Sequence, residues 1–129
     1  MAADGEATTL IFVYGTLRRG FGNHHLVRRA AFLGRGETAE RLVMHVAGQV
    51  PFAHAAEAAY PIVGEVYAVD AATLAALDRL EDHPHWYVRT PATIRMEDGR
   101  DLTAQIYLCR RPEGRRAPGG DYAGLPGIL

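Results

Sequence analysis

Hydrophobic and polar positions along this chain change period several times, and the changes outline short elements. Residues 9–14 predict a strand whose four consecutive apolar residues, Leu10 to Val13, suit a strand covered on both faces. Glycines at 15, 20 and 22 then break any regular period. Asn23 stands where an N-cap would open a helix through His24 to Phe32, with Gly34 and Gly36 closing it. Residues 37–46 predict a strand with imperfect alternation, and residues 48–60, which carry several Ala and a Pro, predict a loop with at most a short helical turn. Residues 61–69 resume strand character, and Asp70 is placed to cap a helix over 71–81. Residues 87–96 predict a strand in which Pro91 marks an edge or a bulge. Asp98-Gly99 is a hairpin signal, after which residues 102–109 return with Leu102, Ala104, Ile106 and Leu108 on one face. From Arg110 onward Pro, Gly and Arg dominate. The reading is one domain over residues 1–129, with irregular tails at about 1–8 and 115–129. Strands outnumber helices and no βαβ alternation runs through the chain, so the expected class is α+β with a mixed sheet or small barrel and a few short helices.

Composition narrows the chemistry. At 48% hydrophobic and 22% charged residues the 129-residue chain is globular in type. Fourteen basic residues face fifteen acidic ones, a formal net charge of -1 that argues against a general nucleic-acid or anionic-membrane binder. The chain contains no Ser and no Lys, so a Ser nucleophile, a Schiff-base lysine and a P-loop lysine are excluded. Cys109 is the single cysteine; it forms no intramolecular disulfide and fills no multi-cysteine zinc site. The N-terminus is acidic and the apolar runs fall far short of the roughly 20 residues of a membrane span, so a cytoplasmic protein is expected. No cofactor or metal is expected, and the oligomeric state is left open with a monomer slightly favoured.

Two features carry candidate chemistry. On a helix over 71–81, at about 100° per residue, Leu77 falls ~300° and Glu81 ~340° around from Leu74. Glu81 therefore lies between two leucines on the apolar stripe, where lost hydration raises a carboxyl pKa toward neutral and suits acid–base work. A frayed helix end with Glu81 paired to an Arg is the plainer alternative. The second feature is the loop Tyr14-Gly-Thr-Leu-Arg-Arg-Gly-Phe-Gly-Asn-His. Its glycines allow close backbone approach, and successive N–H groups there can form an anion-holding concavity or simply a tight turn. It has neither the lysine of a Walker loop nor the spacing of a dinucleotide fingerprint.

Taken together the motifs are more specific than either alone. Phe12-Val-Tyr-Gly-Thr-Leu-Arg-Arg-Gly with Asn23-His24, then Val63-Gly-Glu-Val-Tyr-Ala-Val-Asp70, Leu77-Asp-Arg-Leu-Glu81, Tyr87 and Arg89, and Gly120-Asp-Tyr122 resemble the γ-glutamylcyclotransferase-like (AIG2-like) family. In its compact size the chain is most similar to the γ-glutamylamine cyclotransferase branch. The resemblance spans most of residues 10–122, with 48–60 poorly matched. It implies a small mixed barrel with a cavity at one end, a substrate-binding loop at Tyr14, Gly15, Thr16 and Leu17, and Glu81 as the catalytic glutamate.

The implied reaction is attack of the α-amine of a γ-glutamyl group on its own γ-carbonyl, releasing 5-oxoproline and a free amine. Its nucleophile is already tethered, which agrees with a chain lacking Ser and Lys. Glu81 would move the proton, and backbone N–H groups of Gly15 to Leu17 would hold either the substrate carboxylate or the developing oxyanion. Arg89 shares a strand face with Tyr87 and either borders the cavity as a substrate-binding residue or pairs with Asp78 or Asp82. Tyr122 either closes the cavity or anchors the tail. His83-Pro84-His85 lacks a spaced third metal ligand, Cys109 reads as packing, and the Arg pairs read as solvated faces. The alternative to an enzyme is a non-catalytic pocket protein binding a γ-glutamyl or acidic metabolite. A further option is a cyclotransferase acting on a γ-glutamyl group carried by a larger molecule.

Overall fold

A computed structural model describes residues 8–125. Five strands close into a barrel: β1 (Thr9–Val13), β2 (Ala31–Thr38), β5 (Val63–Val69), β6 (Tyr87–Met96) and β7 (Asp101–Cys109), in the order β1-β5-β2-β6-β7. The other strands are β3 (Val43–Ala47), β4 (Val50–His54) and the two-residue β8 (Arg115–Arg116), which form a separate sheet in the order β4-β3-β8. One α-helix, α1 (Ala71–Leu80), and two 3-10 turns at His24–Leu26 and Tyr122–Gly124 complete the fold. Barrel contacts are antiparallel except where β1 meets β7 in parallel, with Ile11 opposite Gln105 and Phe12 opposite Ile106. That one parallel contact closes the barrel and makes the sheet mixed.

The apolar run of β1 is explained by what covers it. Phe12 points into a core with Ile62, Val66, Ile94 and Ile106, while Ile11 and Val13 join a second core with Leu77, Tyr87 and Tyr107. Both faces are dry, so no polar alternation is needed. In β7, Ala104 and Ile106 are buried in the first core, with Leu102 and Leu108 packed against it, while Tyr107 and Cys109 turn to the second. Asp70 caps α1 as expected, accepting from the Thr73 N–H at 2.8 Å. Pro91 opposes Gln105 of β7, whereas β2 pairs with β6 only at Ile94 to Met96, so the proline sits where its missing N–H leaves no ladder gap. The 98–99 turn reverses the chain with Gly99 at φ 93°, a value that favours glycine.

Four expectations are corrected. The helix expected over 24–32 is only the 3-10 turn His24–Leu26, and residues 31–38 form β2. Asn23 makes no side-chain cap, because its Nδ2 donates to Thr16 Oγ1 at 2.9 Å. The β5 ladder instead takes up Ala31 and Phe32 opposite Ala68 and Tyr67. The single strand expected over 37–46 is split: β2 ends at Thr38 and β3 begins at Val43. Finally, the expected loop 48–60 contains β4, joined to β3 by a two-residue turn with Gly48 at φ 62°. Pro51 disguised this strand, but β4 lies at the edge of its sheet, where proline is tolerated. The C-terminal stretch is likewise partly regular, with β8 and the second 3-10 turn. The expected irregular tail at about residues 1–8 lies, apart from residue 8, outside the described residues.

Candidate active site

The chain leaving β1 builds one wall of a cavity. Tyr14 is buried, and its hydroxyl donates to the Tyr107 carbonyl at 2.8 Å and accepts from the Ala53 N–H at 3.2 Å. One side chain therefore ties β1 to β7 and β4. At position 15 a Cβ would stand 2.5 Å from Pro51 Cγ, so only glycine lets β4 pack this close. The loop turns through Arg18 N–H to Gly15 O (3.0 Å) and is stapled by Asn23, whose N–H donates to Thr16 O at 2.9 Å. Below it, Glu65 of β5 accepts from the Arg19 N–H and from the Tyr67 hydroxyl, both at 3.0 Å, and buried Arg18 pairs with Asp121 at 2.8 Å. With the loop bolted down in this way, the amides of Gly15, Thr16 and Leu17 find no acceptor among the described residues.

The facing wall comes from the end of α1. Leu77 is fully buried and anchors the helix. The helix closes at Leu80, and Glu81 is the C-cap residue, its N–H donating to Leu77 O at 3.0 Å. Glu81 stands half-buried at this helix end, on the cavity side. Burial alone pushes its carboxyl up to about 7, with no hydrogen bond or neighbouring charge to offset it. Burial also raises the phenols of Tyr14 and Tyr87, and the Glu81 charge adds to both shifts.

These elements enclose about 240 Å³. The lining joins Tyr14, Gly15, Thr16, Leu17 and Asn23 from the loop to Leu80 and Glu81 from α1, with Val50 and Pro51 of β4 and the rings of Trp86, Tyr87 and Tyr107. Among the described residues Glu81 is its only ionisable carboxyl, and no cationic side chain joins it. Five of the residues singled out in the sequence thus converge. Arg89 and Tyr122 do not. Arg89 is held by Asp78 in a two-pronged pair, Nε to Oδ1 at 2.8 Å and Nη2 to Oδ2 at 3.2 Å, while Tyr107 also donates to Asp78 Oδ1 at 2.7 Å. Its charge is therefore spent bracing α1 against β6 and β7, three residues before Glu81. Tyr122 is buried in the first core, where its hydroxyl donates to the Gln49 carbonyl and ties the tail to the β3–β4 turn.

Tyr87, Tyr107, Trp86, Pro51 and Val50 reach the cavity without having been named as site residues. Only long-range pairing brings β4, β6 and β7 together, so local pattern carried no sign of it. Among the described residues no three His, Cys, Asp or Glu side chains gather as a metal site; His83 Nδ1 instead accepts from the Arg89 N–H at 3.1 Å.

A half-buried carboxyl pushed up toward neutrality thus shares one cavity with the loop of Gly15, Thr16 and Leu17. In comparison with known sequences, residues 11–124 match the family described as gamma-glutamyl cyclotransferase, AIG2-like. The chain belongs to this family. A putative gamma-glutamylcyclotransferase of Methanocaldococcus jannaschii is 39% identical over 113 residues, covering 87% of this chain and 93% of that protein. The gamma-glutamylaminecyclotransferase of Homo sapiens is 39% identical over 99 residues, covering 70% of this chain and 65% of that protein. The crystal structure of an AIG2-like protein from Mus musculus superposes with a TM-score of 0.75 at 32% identity, covering 92% and 84% of the two chains. The small mixed barrel is thus the architecture of a cyclotransferase family, and no helix among the described residues is long and apolar enough to cross a membrane.

Proposed function

We propose that this cyclotransferase converts a γ-glutamyl amine or γ-glutamyl amino acid into 5-oxoproline and the free amine, with Glu81 moving the proton. The reaction is an internal exchange. A bond forms between the α-nitrogen and the γ-carbon, the bond from the γ-carbon to the leaving nitrogen breaks, and the two protons lost by the α-ammonium are gained by the leaving nitrogen. No water is consumed and no covalent enzyme intermediate is required, in keeping with a cavity that offers neither Ser, Lys nor an accessible thiol.

The observation that carries this reading is the half-buried Glu81 carboxyl, pushed up to about 7 by lost hydration, in a cavity whose lining holds no cation. The α-ammonium of a γ-glutamyl group stands beside its own carboxylate and is a weaker acid than a peptide N-terminus, so a carboxylate lifted toward neutrality takes its proton more readily than an ordinary one. An ordinary carboxylate would be a weaker base for that step and would seldom stand protonated for the next. Once protonated, Glu81 hands that proton to the departing nitrogen, then takes the second proton that the attacking nitrogen sheds as the lactam forms and passes it to the freed amine, which leaves as an ammonium. The free amides of Gly15, Thr16 and Leu17 hold the substrate carboxylate or the oxyanion that develops on the γ-carbonyl. Tyr14 keeps that loop in place through Tyr107 and Ala53. Arg89 acts one step removed, as a positioning residue that holds α1 through Asp78. A buried free thiol at Cys109 suits the cytoplasm, where we place the reaction.

The test is a release assay with γ-glutamyl amines, γ-glutamyl amino acids and glutathione, following 5-oxoproline by mass spectrometry. Glu81→Gln keeps size and loses the proton acceptor; activity in the native protein and a loss of at least ~100-fold in the variant are expected. Turnover by Glu81→Gln at the native rate refutes the assignment. Binding without product in the native protein assigns the cavity to a non-catalytic pocket protein.

A further inference from the structure

Four large apolar side chains stand exposed among the described residues: Phe32, Val50, Leu80 and Trp86. Phe32 is accounted for, with the Arg19 guanidinium 3.8 Å from its ring centroid and the Tyr67 ring 5.4 Å away. The other three come from the start of β4, the last turn of α1 and the segment before β6, and all three line the cavity that holds Glu81. Exposed apolar groups scattered singly need no explanation, but three converging from separate segments on one concave site mark a ligand surface. Trp86 is also set in place in advance, its ring 5.7 Å from Phe52 and 5.5 Å from Tyr87.

Charge points the same way. The lining holds no cation for a second carboxylate, and the nearby Arg89 is committed to Asp78. An amino acid as leaving group would bring its own carboxylate against apolar surface, with Glu81 as the nearest lining charge. We propose that Val50, Leu80 and Trp86 select γ-glutamyl amides whose leaving amine carries an uncharged aromatic or branched-alkyl group, in preference to amides of amino acids. The inference rests on the cyclotransferase reading: the γ-glutamyl end lies inward beside Glu81 and the loop, and the amine substituent lies along the three apolar side chains.

The experiment uses the full chain with four substrates: the γ-glutamyl amides of phenethylamine and isopentylamine, Nε-(γ-glutamyl)lysine and γ-glutamylalanine. Release of 5-oxoproline is expected with kcat/KM ~10-fold or more higher for the two apolar amides. Trp86→Ala should shrink that advantage ~5-fold, chiefly by raising KM for the apolar pair, and Trp86→Phe should retain most of it. Val50→Thr, which keeps the branched shape on β4 but adds a hydroxyl, should shrink it in the same direction. Equal or reversed preference in the native protein overturns the inference while leaving the cyclotransferase reading intact. So does a Trp86→Ala effect that falls on kcat for all four substrates alike. A dimer lost in Trp86→Ala by analytical ultracentrifugation, with selectivity unchanged, would assign these side chains to a second copy of the chain and overturn it as well. No product from any of the four removes the cyclotransferase reading, and the inference falls with it.

Discussion

Replacing Glu81 by Gln should stabilise the fold at alkaline pH while abolishing turnover. The folded chain holds the Glu81 proton more tightly than the unfolded chain, with a pKa of about 7 against an ordinary 4.5, and burial is the whole cause. Protonation therefore favours the folded state. The favourable contribution is fully present below about 4.5, declines as pH rises through about 7, and is gone above about 8. Each pH unit of separation is worth 1.36 kcal/mol, so the native protein should lose about 3 kcal/mol of stability from this one group across that window. The neutral amide introduced by Glu81→Gln carries no such charge at any pH. Urea denaturation followed by tryptophan fluorescence at pH 4.5, 6, 7.5 and 9 gives the two stability curves. They should lie together at pH 4.5 and diverge by about 3 kcal/mol at pH 9, with the variant the more stable. The two curves running parallel from pH 4.5 to 9 would refute the reasoning, since the cavity would then be wet enough to ionise Glu81 without cost. Loss of activity accompanied by a gain in stability is the behaviour expected of a group strained for function.

Gly15→Ala should cost roughly 1–3 kcal/mol in a thermal melt, because the new methyl would stand 2.5 Å from Pro51 Cγ and either β4 or the loop must shift. The same shift moves the Thr16 and Leu17 amides, so kcat/KM should fall by more than the loss of stability accounts for; unchanged kinetics would mean that the loop amides do not touch substrate. Arg89→Met should leave the chain folded and lower kcat more than it raises KM, since the pair with Asp78 positions α1 without bordering the cavity. Arg89→Lys should recover only part of the rate, because a lysine cannot reproduce the two-pronged contact. A change confined to KM would instead place Arg89 on the substrate.

Several parts of this protein are decided within a few residues of chain. Leu10 to Val13 are apolar on both faces because both faces of β1 are covered; the Asp70 cap and the Gly99 reversal follow from side-chain oxygen and backbone freedom alone. Helical period is equally local, which is why the place of Glu81 beside Leu77 was legible, and so was the glycine turn after Tyr14. Other features depend on partners far along the chain. The segment 24–32 has helix-forming residues, yet the β5 ladder and the Asn23–Thr16 contact leave it one 3-10 turn before β2. β4 exists because β3 gives an edge where Pro51 needs no donor, and that strand in turn presses on Gly15. Arg89 and Tyr122 sit at positions that sequence alone left open between cavity and scaffold. Asp78 and the Gln49 carbonyl, close only in the folded chain, decide both for the scaffold. The same pairing of distant strands carries Tyr87, Tyr107 and Trp86 to the cavity. Short-range order set the acid and the loop, and long-range register set everything that surrounds them, because side-chain period is a property of one segment while a cavity is a property of several.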